Sequence, residues 1–345
     1  MSYEGIFIRD YVGETPDSTT GTSWTCSPDI ICTGPKVLDD PSAFTNKSNY
    51  DQGLPNIANQ TPLQQNNVYI RGINVSNQPR TAVIYFYYVD TSIVLWPQNW
   101  KTVDIQYNNA QQNWVKVSVD TLNQIVGTNP PFLWRPPRQG IHYCLVAWVK
   151  NGEDQDTPPE LYKIGAVNDM ANFILTHKNI GWRNTVEVDG TQPTIQDTAP
   201  IIGPHDGGIL NIGVQCDNLP KDGTISFTVP GPDPENSINF IDRPIISENY
   251  APTLKVQWPA NFNSTLTFTY KKGKKDPPDG ANIIPLVGTR GTGSDFIEHV
   301  KTIAPNRLTN VHFYGHAKDF HKEMNMNVPP QHLFIVGSVP FKLKK

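Results

Sequence analysis

Asn-Val-Tyr-Ile-Arg-Gly-Ile-Asn-Val, residues 67–75, and Ala-Val-Ile-Tyr-Phe-Tyr-Tyr-Val, residues 82–89, decide the fold of the first half of this chain. The second stretch is apolar or aromatic at every position, which is typical of a central β-strand covered on both faces. Ser76-Asn-Gln-Pro79 between them has turn chemistry, because Asn tolerates unusual backbone angles and Pro lacks an N–H. The pattern therefore predicts a β-hairpin at the hub of a β-sandwich.

The first of these strands alternates between two faces. Val68 and Ile70 lie on one face and Tyr69 and Arg71 on the other, because successive side chains of a strand point to opposite sides. A second continuous apolar strand, His142-Tyr-Cys-Leu-Val-Ala-Trp-Val, is predicted to pair near the hub.

Length and composition set the broad class. The 345 residues suggest two domains, since single cores rarely grow to this size. With 31 Pro and 25 Gly the chain has many turns, and its Val, Ile, Thr and aromatic content favours strands. A net charge of −4 offers no electrostatic basis for binding nucleic acid or an acidic membrane surface. Neither partner is predicted.

The predicted fold class is mainly β, with two antiparallel β-sandwich (immunoglobulin-like) domains and one or two short helices. The first domain covers residues 1–190 and carries a long polar loop over 13–65, and a Pro-rich linker covers 191–205. The second domain covers 206–345 and contains a helix at about 294–303, with Ser294 as its N-cap. A further short helix is predicted near 166–175 from its apolar spacing.

The N-terminus has no signal-peptide pattern, and no window reaches the roughly 20 apolar residues that span a bilayer. We therefore expect cytoplasmic synthesis without a membrane span, and any export by a route that needs no signal peptide. The four cysteines are expected to be reduced, and buried thiols are the simplest interpretation.

Five stretches in the first half of the chain carry a resemblance to a known family. In chain order they are Ile6-Phe-Ile-Arg-Asp, Ser27-Pro-Asp-Ile-Ile, Asn67-Val-Tyr-Ile-Arg, Gly140-Ile-His-Tyr-Cys-Leu-Val-Ala-Trp and Asn179-Ile-Gly-Trp-Arg-Asn. The order is similar to that in bacterial immunoglobulin-like domains of the cell-adhesion-related (CARDB-type) kind. The resemblance covers about residues 3–189. It implies an antiparallel sandwich that serves as a spacer, adhesion or assembly module, and it implies no catalytic residues.

Two features depart from that family: Gly72 stands where an apolar residue is usual, and an export signal is missing. We recognise no family in residues 206–345.

The only metal candidates in the sequence are His312, His316 and His321, with acidic residues nearby. His312 and His316 have the spacing that binds metal on a helix, but Val-His-Phe-Tyr-Gly around them reads as a strand, which would separate the imidazoles. We therefore predict no metal, catalytic or cofactor-binding site, and no cofactor.

Two other motifs have features of a ligand-binding site. Gly288-Thr-Arg-Gly-Thr-Gly-Ser-Asp resembles a phosphate-cradling loop, but Asp295 stands where a Walker loop needs its Lys and Ser or Thr. A strand-to-helix turn is the simpler interpretation, with an anion site as the alternative. Lys271-Lys-Gly-Lys-Lys could bind phosphate or nucleic acid, whereas a solvated hairpin tip explains it without a ligand.

Exposed aromatic residues could form a sugar-stacking platform. The candidates are Trp96, Trp100, Trp114, Trp134, Trp148, Trp182 and Tyr85–Tyr88. The simpler interpretation is that most of them fill the core of an aromatic-rich sandwich.

The leading functional prediction is a non-enzymatic structural protein that binds copies of itself through sandwich edges and loops, forming a filament, lattice or particle. The long 13–65 loop is expected to need an ordering partner. The alternative is a toxin or adhesion module that binds a cell-surface glycan. A hydrolase whose site the sequence does not reveal comes third.

Overall fold

The structure, a computed structural model, describes residues 3–16, 25–52, 64–137, 142–152, 164–177, 179–184, 186–291, 295–320 and 328–344. The chain forms two compact units, both mainly β, which confirms the predicted fold class. Unit 1 is made of Met1–Asp90, Pro97–Lys163 and Leu175–Asn184, and unit 2 of Thr91–Trp96, Ile164–Ile174 and Thr185–Lys345.

Unit 1 contains two β-sheets and a short helix, α1 (Lys47–Gln52). The seven-stranded sheet is formed by β1 (Ile6–Phe7), β2 (Ile30–Cys32), β3 (Asn66–Asn74), β5 (Ile105–Tyr107), β6 (Ala110–Gln111), β8 (Ile125–Gly127) and β9 (Phe132–Trp134). The four-stranded sheet has the order β11 (Ile180–Arg183), β10 (Tyr143–Asn151), β4 (Arg80–Asp90), β7 (Trp114–Val119).

The main core of unit 1 lies between its two sheets, as a sandwich requires. Val68 and Ile70 of β3 share one apolar cluster with Ile84 and Phe86 of β4. Strand β4 is buried at every position from Ala82 to Val89, so the prediction that it is covered on both faces is confirmed. It pairs with β10 over nine residue pairs, which confirms the predicted neighbour.

The predicted hairpin at residues 67–89 is wrong. Strand β3 belongs to the seven-stranded sheet and β4 to the four-stranded one, so the connection at 75–79 crosses between sheets. The Asn74 amide donates to the carbonyl oxygens of Gln78 and Thr121, which holds this connection in place. Turn residues specify a change of direction, but not whether the two strands then pair or face each other across a core.

Gly72, the departure from the family pattern, has a packing explanation. A Cβ at this position would lie 2.7 Å from Cγ2 of Ile6 and 2.9 Å from the carbonyl oxygen of Phe7. Strand β1 therefore approaches β3 too closely for any side chain at residue 72.

Unit 2 also has two sheets, and its helices are α2 (Val167–Thr176, within the unit up to Ile174) and α3 (Phe296–Ile303). The eight-stranded sheet has the order β12 (Val186–Asp189), β23 (Phe341–Lys344), β20 (Asn282–Thr289), β22 (Pro330–Ser338), β21 (Leu308–His316), β18 (Pro252–Trp258), β14 (Gly208–Asp217), β17 (Asn249–Tyr250). The four-stranded sheet has the order β13 (Thr194–Ile201), β19 (Ser264–Lys271), β15 (Thr224–Val229), β16 (Ile238–Pro244).

Among the described residues of unit 2, strand pairing is antiparallel except for two parallel pairs, β12 with β23 and β18 with β21. Aromatic contacts join the two sheets across the core: the ring centroids of Phe268 and Phe341 are 4.9 Å apart, and those of Phe240 and Tyr314 are 5.6 Å apart. Leu210 and Ile212 of β14 are buried, whereas Ile209, which points to the opposite face of the strand, is 46% exposed. The outward face of β14 is therefore available to line a surface site.

Two predicted irregular segments contain regular structure. The linker predicted at 191–205 includes β13, which pairs with β19 over eight residue pairs. The loop predicted over 13–65 includes β2 and α1 within its described residues. The chain changes unit after Asn184, and the inserts 91–96 and 164–174 also belong to unit 2, so the division differs from the simple one predicted at 190.

The two predicted helices are present as α2 and α3, and α1 is a third that was not foreseen. Asp295 precedes α3 without a side-chain capping bond. The predicted cap, Ser294, lies outside the described residues.

Candidate functional site

The structure separates the metal candidates. His312 is buried on β21, where its Nδ1 accepts a hydrogen bond from the Ala251 N–H at 3.4 Å and its ring meets Tyr250 edge-on. Burial lowers the pKa of His312, which favours the neutral ring. His316 lies four residues further along the strand, a rise of about 13 Å. His321 lies outside the described residues, in which no cluster of three or more metal-ligating side chains occurs.

The aromatic platform is wrong as a surface feature. All but one of the candidate rings are buried: Trp96, Trp100, Trp134, Trp148, Trp182 and Tyr85–Tyr88. Only Trp114 is half-buried. The rings contact one another, as Trp100 and Trp182 do with centroids 5.3 Å apart, so they serve as core.

The basic segment Lys271–Lys275 is largely neutralised by nearby carboxylates. Lys271 Nζ lies 2.8 Å from Asp242, and Lys272 Nζ lies 2.8 Å from Asp276. Asp222 accepts hydrogen bonds from the backbone N–H groups of Lys274 and Lys275. The solvated-tip interpretation explains these contacts without a ligand.

A buried ionic cluster occupies the other face of β3 in unit 1. The Asp29 carboxylate, 0% exposed, accepts hydrogen bonds from Arg9 Nη2 at 2.6 Å and from Arg71 Nε at 3.0 Å. The Arg9 guanidinium lies 3.3 Å from the centroid of the Tyr50 ring, and Arg71 Nη1 donates to the Phe44 carbonyl oxygen at 2.8 Å. These partners come from the 25–52 segment, so this part of the predicted loop is ordered by its own unit.

The cluster is a structural device. Burial tends to lower the pKa of Arg9, but the hydrogen bond and charge of Asp29 outweigh it and raise that pKa above its usual value. Both arginines already have protein acceptors and rings around them, and all three charged side chains are shielded from water. A ligand would have to displace these contacts, so we infer that the cluster stabilises the fold and does not bind a ligand.

A concave surface in unit 2, here called the cationic cleft, is the better candidate for binding. Its volume is about 520 Å³, within the range of small-molecule sites. Its lining residues come from the start of α2, from β14 and β18, from the end of β20 and from β21: Ala166, Val167, Asn168, Gly207, Gly208, Ile209, Asn211, Lys255, Gln257, Thr289, Arg290, Gly291 and Phe313.

The floor of the cationic cleft is the outward face of two paired strands. Asn211 lies opposite Lys255, and Ile209 lies opposite Gln257, in the register of β14 and β18. Side chains of a strand alternate between its two faces. The residues between these four point into the core, so these four point outward into the cleft. Gly207 has a φ of +71° and bends the chain at the entry to β14. Residues with a side chain rarely adopt this backbone conformation, which is why glycine suits the position.

One wall joins a helix start to a strand end. The Thr289 hydroxyl donates to Asn168 Oδ1 at 2.6 Å, and Thr289 Oγ1 accepts from the Gly291 N–H at 2.9 Å. Ala166, Val167 and Asn168 at the start of α2 also line the cleft, so the positive end of the helix dipole lies near this wall.

The charge in the cationic cleft is opposite in sign to the net charge of the chain. Lys255 and Arg290 are both lining residues, and no acidic side chain is among the lining residues that the structure describes. Arg290 donates to Gln331 Oε1 at 2.9 Å, a neutral partner. Within the described ranges neither cation lies within ion-pair distance of a carboxylate.

Part of the cationic cleft belongs to a motif that the sequence already suggested. Thr289, Arg290 and Gly291 belong to the motif for which an anion site was the alternative interpretation, and residues 292–294 of that motif lie outside the described residues. Lys255, Asn211 and Asn168 were missed, because each comes from a different part of the chain. The alternation of Lys255 and Gln257 with apolar residues in β18 was the one available signal.

Comparisons with known proteins identify no relative. No protein-family model matches the chain, and no curated protein matches it. Solved structures with a faint similarity include CBD12 from CALX1.2, which is 7% identical, has a TM-score of 0.19 and matches over 80% of this chain and 92% of that one. The collagen adhesin (CNA) of S. aureus is 9% identical, has a TM-score of 0.20 and matches over 68% of this chain and 84% of that one. A structure of manganese lipoxygenase of Gaeumannomyces graminis with part of zonadhesin of Komagataella pastoris is 11% identical, has a TM-score of 0.15 and matches over 82% of this chain and 91% of that one. Similarity this low supports no argument about the chain, and the CARDB-type resemblance stays a prediction.

No helix among the described residues has the length and apolarity to cross a membrane.

Proposed function

We propose that this is a non-enzymatic binding protein that holds an acidic sugar of a cell-surface glycan in the cationic cleft. The observation that carries the proposal is the placing of Lys255 and Arg290, without carboxylate partners, in one concave surface with amide side chains. Cations of this kind attract an anionic group and form hydrogen bonds about twice as strong as neutral ones.

The remaining lining residues suit a sugar. Sugars present both hydroxyl groups and apolar C–H faces. Asn168, Asn211 and Gln257 provide amide groups that can donate and accept hydrogen bonds, whereas Ile209 and Phe313 provide apolar surface. The described lining contains no carboxylate, imidazole or thiol, so its groups are suited to holding a ligand rather than to transferring protons.

A glycan array tests this proposal. The protein is expected to bind glycans that carry sialic or uronic acids and not their neutral counterparts. Lys255→Ala is expected to lower the affinity about tenfold or more, since a hydrogen bond to a charged group contributes roughly 1.5–3 kcal/mol. Binding is also expected to weaken as salt is raised.

Lys274→Ala is the matched control. It removes the same charge from the hairpin tip, where only the Lys274 backbone N–H has a protein partner. Equal binding of neutral and acidic glycans, or equal losses in the two variants, would contradict the proposal.

Self-assembly is a second candidate, and one observation favours it. Strand β7 is the edge of its sheet: it pairs with β4, and no other strand joins its far side in the described residues. It carries one charged residue, Lys116, so little opposes the addition of a strand from another copy. Light scattering after size-exclusion chromatography tests this, and a 38.6 kDa monomer at every concentration would contradict it.

A further inference from the structure

A second concave surface adjoins the cationic cleft. This surface, here called the flanking hollow, has a volume of about 500 Å³ and is lined by Ile297, Glu298, Lys301, Gln331 and His332. Arg290 and Gly291 line both the flanking hollow and the cationic cleft, so the two surfaces meet at these residues. A ligand longer than one sugar can therefore continue from one surface into the other.

The two surfaces differ in charge. Lys301 Nζ lies 2.7 Å from the Glu298 carboxylate on the same helix, so these two charges offset each other within the flanking hollow. Gln331 and His332 add hydrogen-bonding groups, and Ile297 adds apolar surface. The flanking hollow thus suits a hydroxylated neutral group. Of the cations that line it in the described residues, Lys301 is already paired with Glu298, so a second anionic group would have to share Arg290 with the first.

Arg290 stands at the junction. Its guanidinium has five N–H donors, and Gln331 Oε1 accepts one of them at 2.9 Å. Gln331 is itself a lining residue of the flanking hollow, so it fixes Arg290 from that side and leaves the other donors for a ligand. One arginine can then contact two neighbouring units of the same ligand.

We propose, on the basis of the function proposed above, that the ligand is an acidic sugar joined to a neutral sugar. The acidic sugar binds in the cationic cleft and the neutral sugar in the flanking hollow, with Arg290 contacting both. Lys255 is then a determinant of acidic-group recognition, and His332 is a determinant of the neutral neighbour.

Isothermal titration calorimetry of the full chain with three probes tests the inference: N-acetylneuraminic acid, 3′-sialyllactose and α2,8-linked disialic acid. We expect sialyllactose to bind about tenfold more tightly than the monosaccharide, since one or two added hydrogen bonds correspond to a gain of this size. We expect disialic acid to gain less, because Lys301 is already paired with Glu298 and the second carboxylate would have to share Arg290 with the first.

Two variants separate the contribution of the flanking hollow to affinity from that of the cationic cleft. His332→Ala is expected to abolish most of the gain of sialyllactose while leaving the affinity for the monosaccharide unchanged. Lys255→Ala is expected to weaken all three probes, and Lys274→Ala none of them. Circular dichroism confirms that each variant is folded.

The failures are distinguishable. If N-acetylneuraminic acid and sialyllactose bind equally, or if His332→Ala weakens both alike, the two-sugar inference is overturned and the proposed function stands. Tighter binding of disialic acid than of sialyllactose also overturns it, in favour of a polyanionic ligand. If none of the three probes binds, both the inference and the proposed function are overturned.

Discussion

Each unit of this protein contains a group of cationic side chains, and the two groups differ in burial and in their acidic partners. In unit 1, Arg9 and Arg71 are buried around Asp29, which accepts hydrogen bonds from both. In unit 2, Lys255 and Arg290 line an open cleft in which the described residues include no carboxylate. The first group is surrounded by protein acceptors, whereas the second lies at the surface and keeps most of its donors for water or a ligand.

The comparison teaches how to separate structural charge from functional charge. Burial of an ion has a large desolvation cost, so buried ions occur where oppositely charged and hydrogen-bonding partners surround them. Removal of one partner strongly destabilises the folded protein. A half-exposed cation keeps its water and contributes little to folding. It can therefore be retained for binding. Substitutions at the two groups should therefore differ in their effect on stability.

Asp29→Ala is expected to have the largest effect. It leaves Arg9 and Arg71 buried without an anion, and breaking a buried ion pair in this way costs about 3–5 kcal/mol. Urea unfolding followed by tryptophan fluorescence measures the loss.

Asp39→Ala is the matched control for that variant. Asp39 is 86% exposed and its partner Lys36 is 76% exposed, so their ion pair contributes little. A change below about 1 kcal/mol is expected. Equal costs for the two aspartates would remove the distinction between buried and exposed charge.

Acid sensitivity is expected next, and it arises at His142 in unit 1. Burial lowers the pKa of His142 to about 4, with a hydrogen bond to Asn184 opposing the shift. The unfolded chain then binds more protons than the folded one between about pH 6.5 and 4, so stability is full above this window and falls as the pH is lowered through it. The loss is at most about 3 kcal/mol.

His142→Asn checks the assignment, because it removes the titrating group while His312 remains in both proteins. Stability of the variant is expected to depend less steeply on pH between 6.5 and 4. Parallel stability curves for the two proteins would show that His142 is not the source.

Thr289→Val is expected to have an intermediate effect in unit 2. Thr289 is 5% exposed, and its hydroxyl bonds to both Asn168 and Gly291. Valine keeps the shape but leaves those two groups without their partner, at a cost of about 1–2 kcal/mol. Differential scanning calorimetry measures it, and an unchanged Tm would mean that this wall of the cleft is not held by the hydroxyl.

Lys255→Ala and Arg290→Ala are expected to have the smallest effect on stability. Each removes a side chain whose charge has no ion-pair partner in the described residues, so a change within about 0.5 kcal/mol is expected. Measured by the same urea unfolding, a loss comparable to that of Asp29→Ala would show that these cations support the fold. Loss of ligand binding without loss of stability is the pattern that marks them as functional.

Sequence patterns identified the elements better than their pairing. The burial of β4 on both faces and its pairing with β10 followed from continuous apolar runs, α2 from the spacing of its apolar residues, and α3 from its capping and charge pattern. The hairpin did not, because the residues of a turn specify a reversal and not the sheet to which the next strand belongs. The segment 25–52 lies within the predicted loop and yet is ordered, because its buried aspartate becomes informative only when Arg9 and Arg71 lie around it.

Apolar patterns in the sequence were enough to identify a mainly β protein and the strands at the centre of the first unit, because hydrophobic burial follows a local period of two. Tertiary structure alone decided which charges meet a partner. Asp29 is 42 residues from Arg71, and Lys255 is 35 residues from Arg290. Sheet order places the first pair in contact and leaves the second without a carboxylate. Electrostatic and hydrogen-bonding interactions act over a few ångströms in space, so no local pattern distinguishes a buried ion pair from a binding cleft.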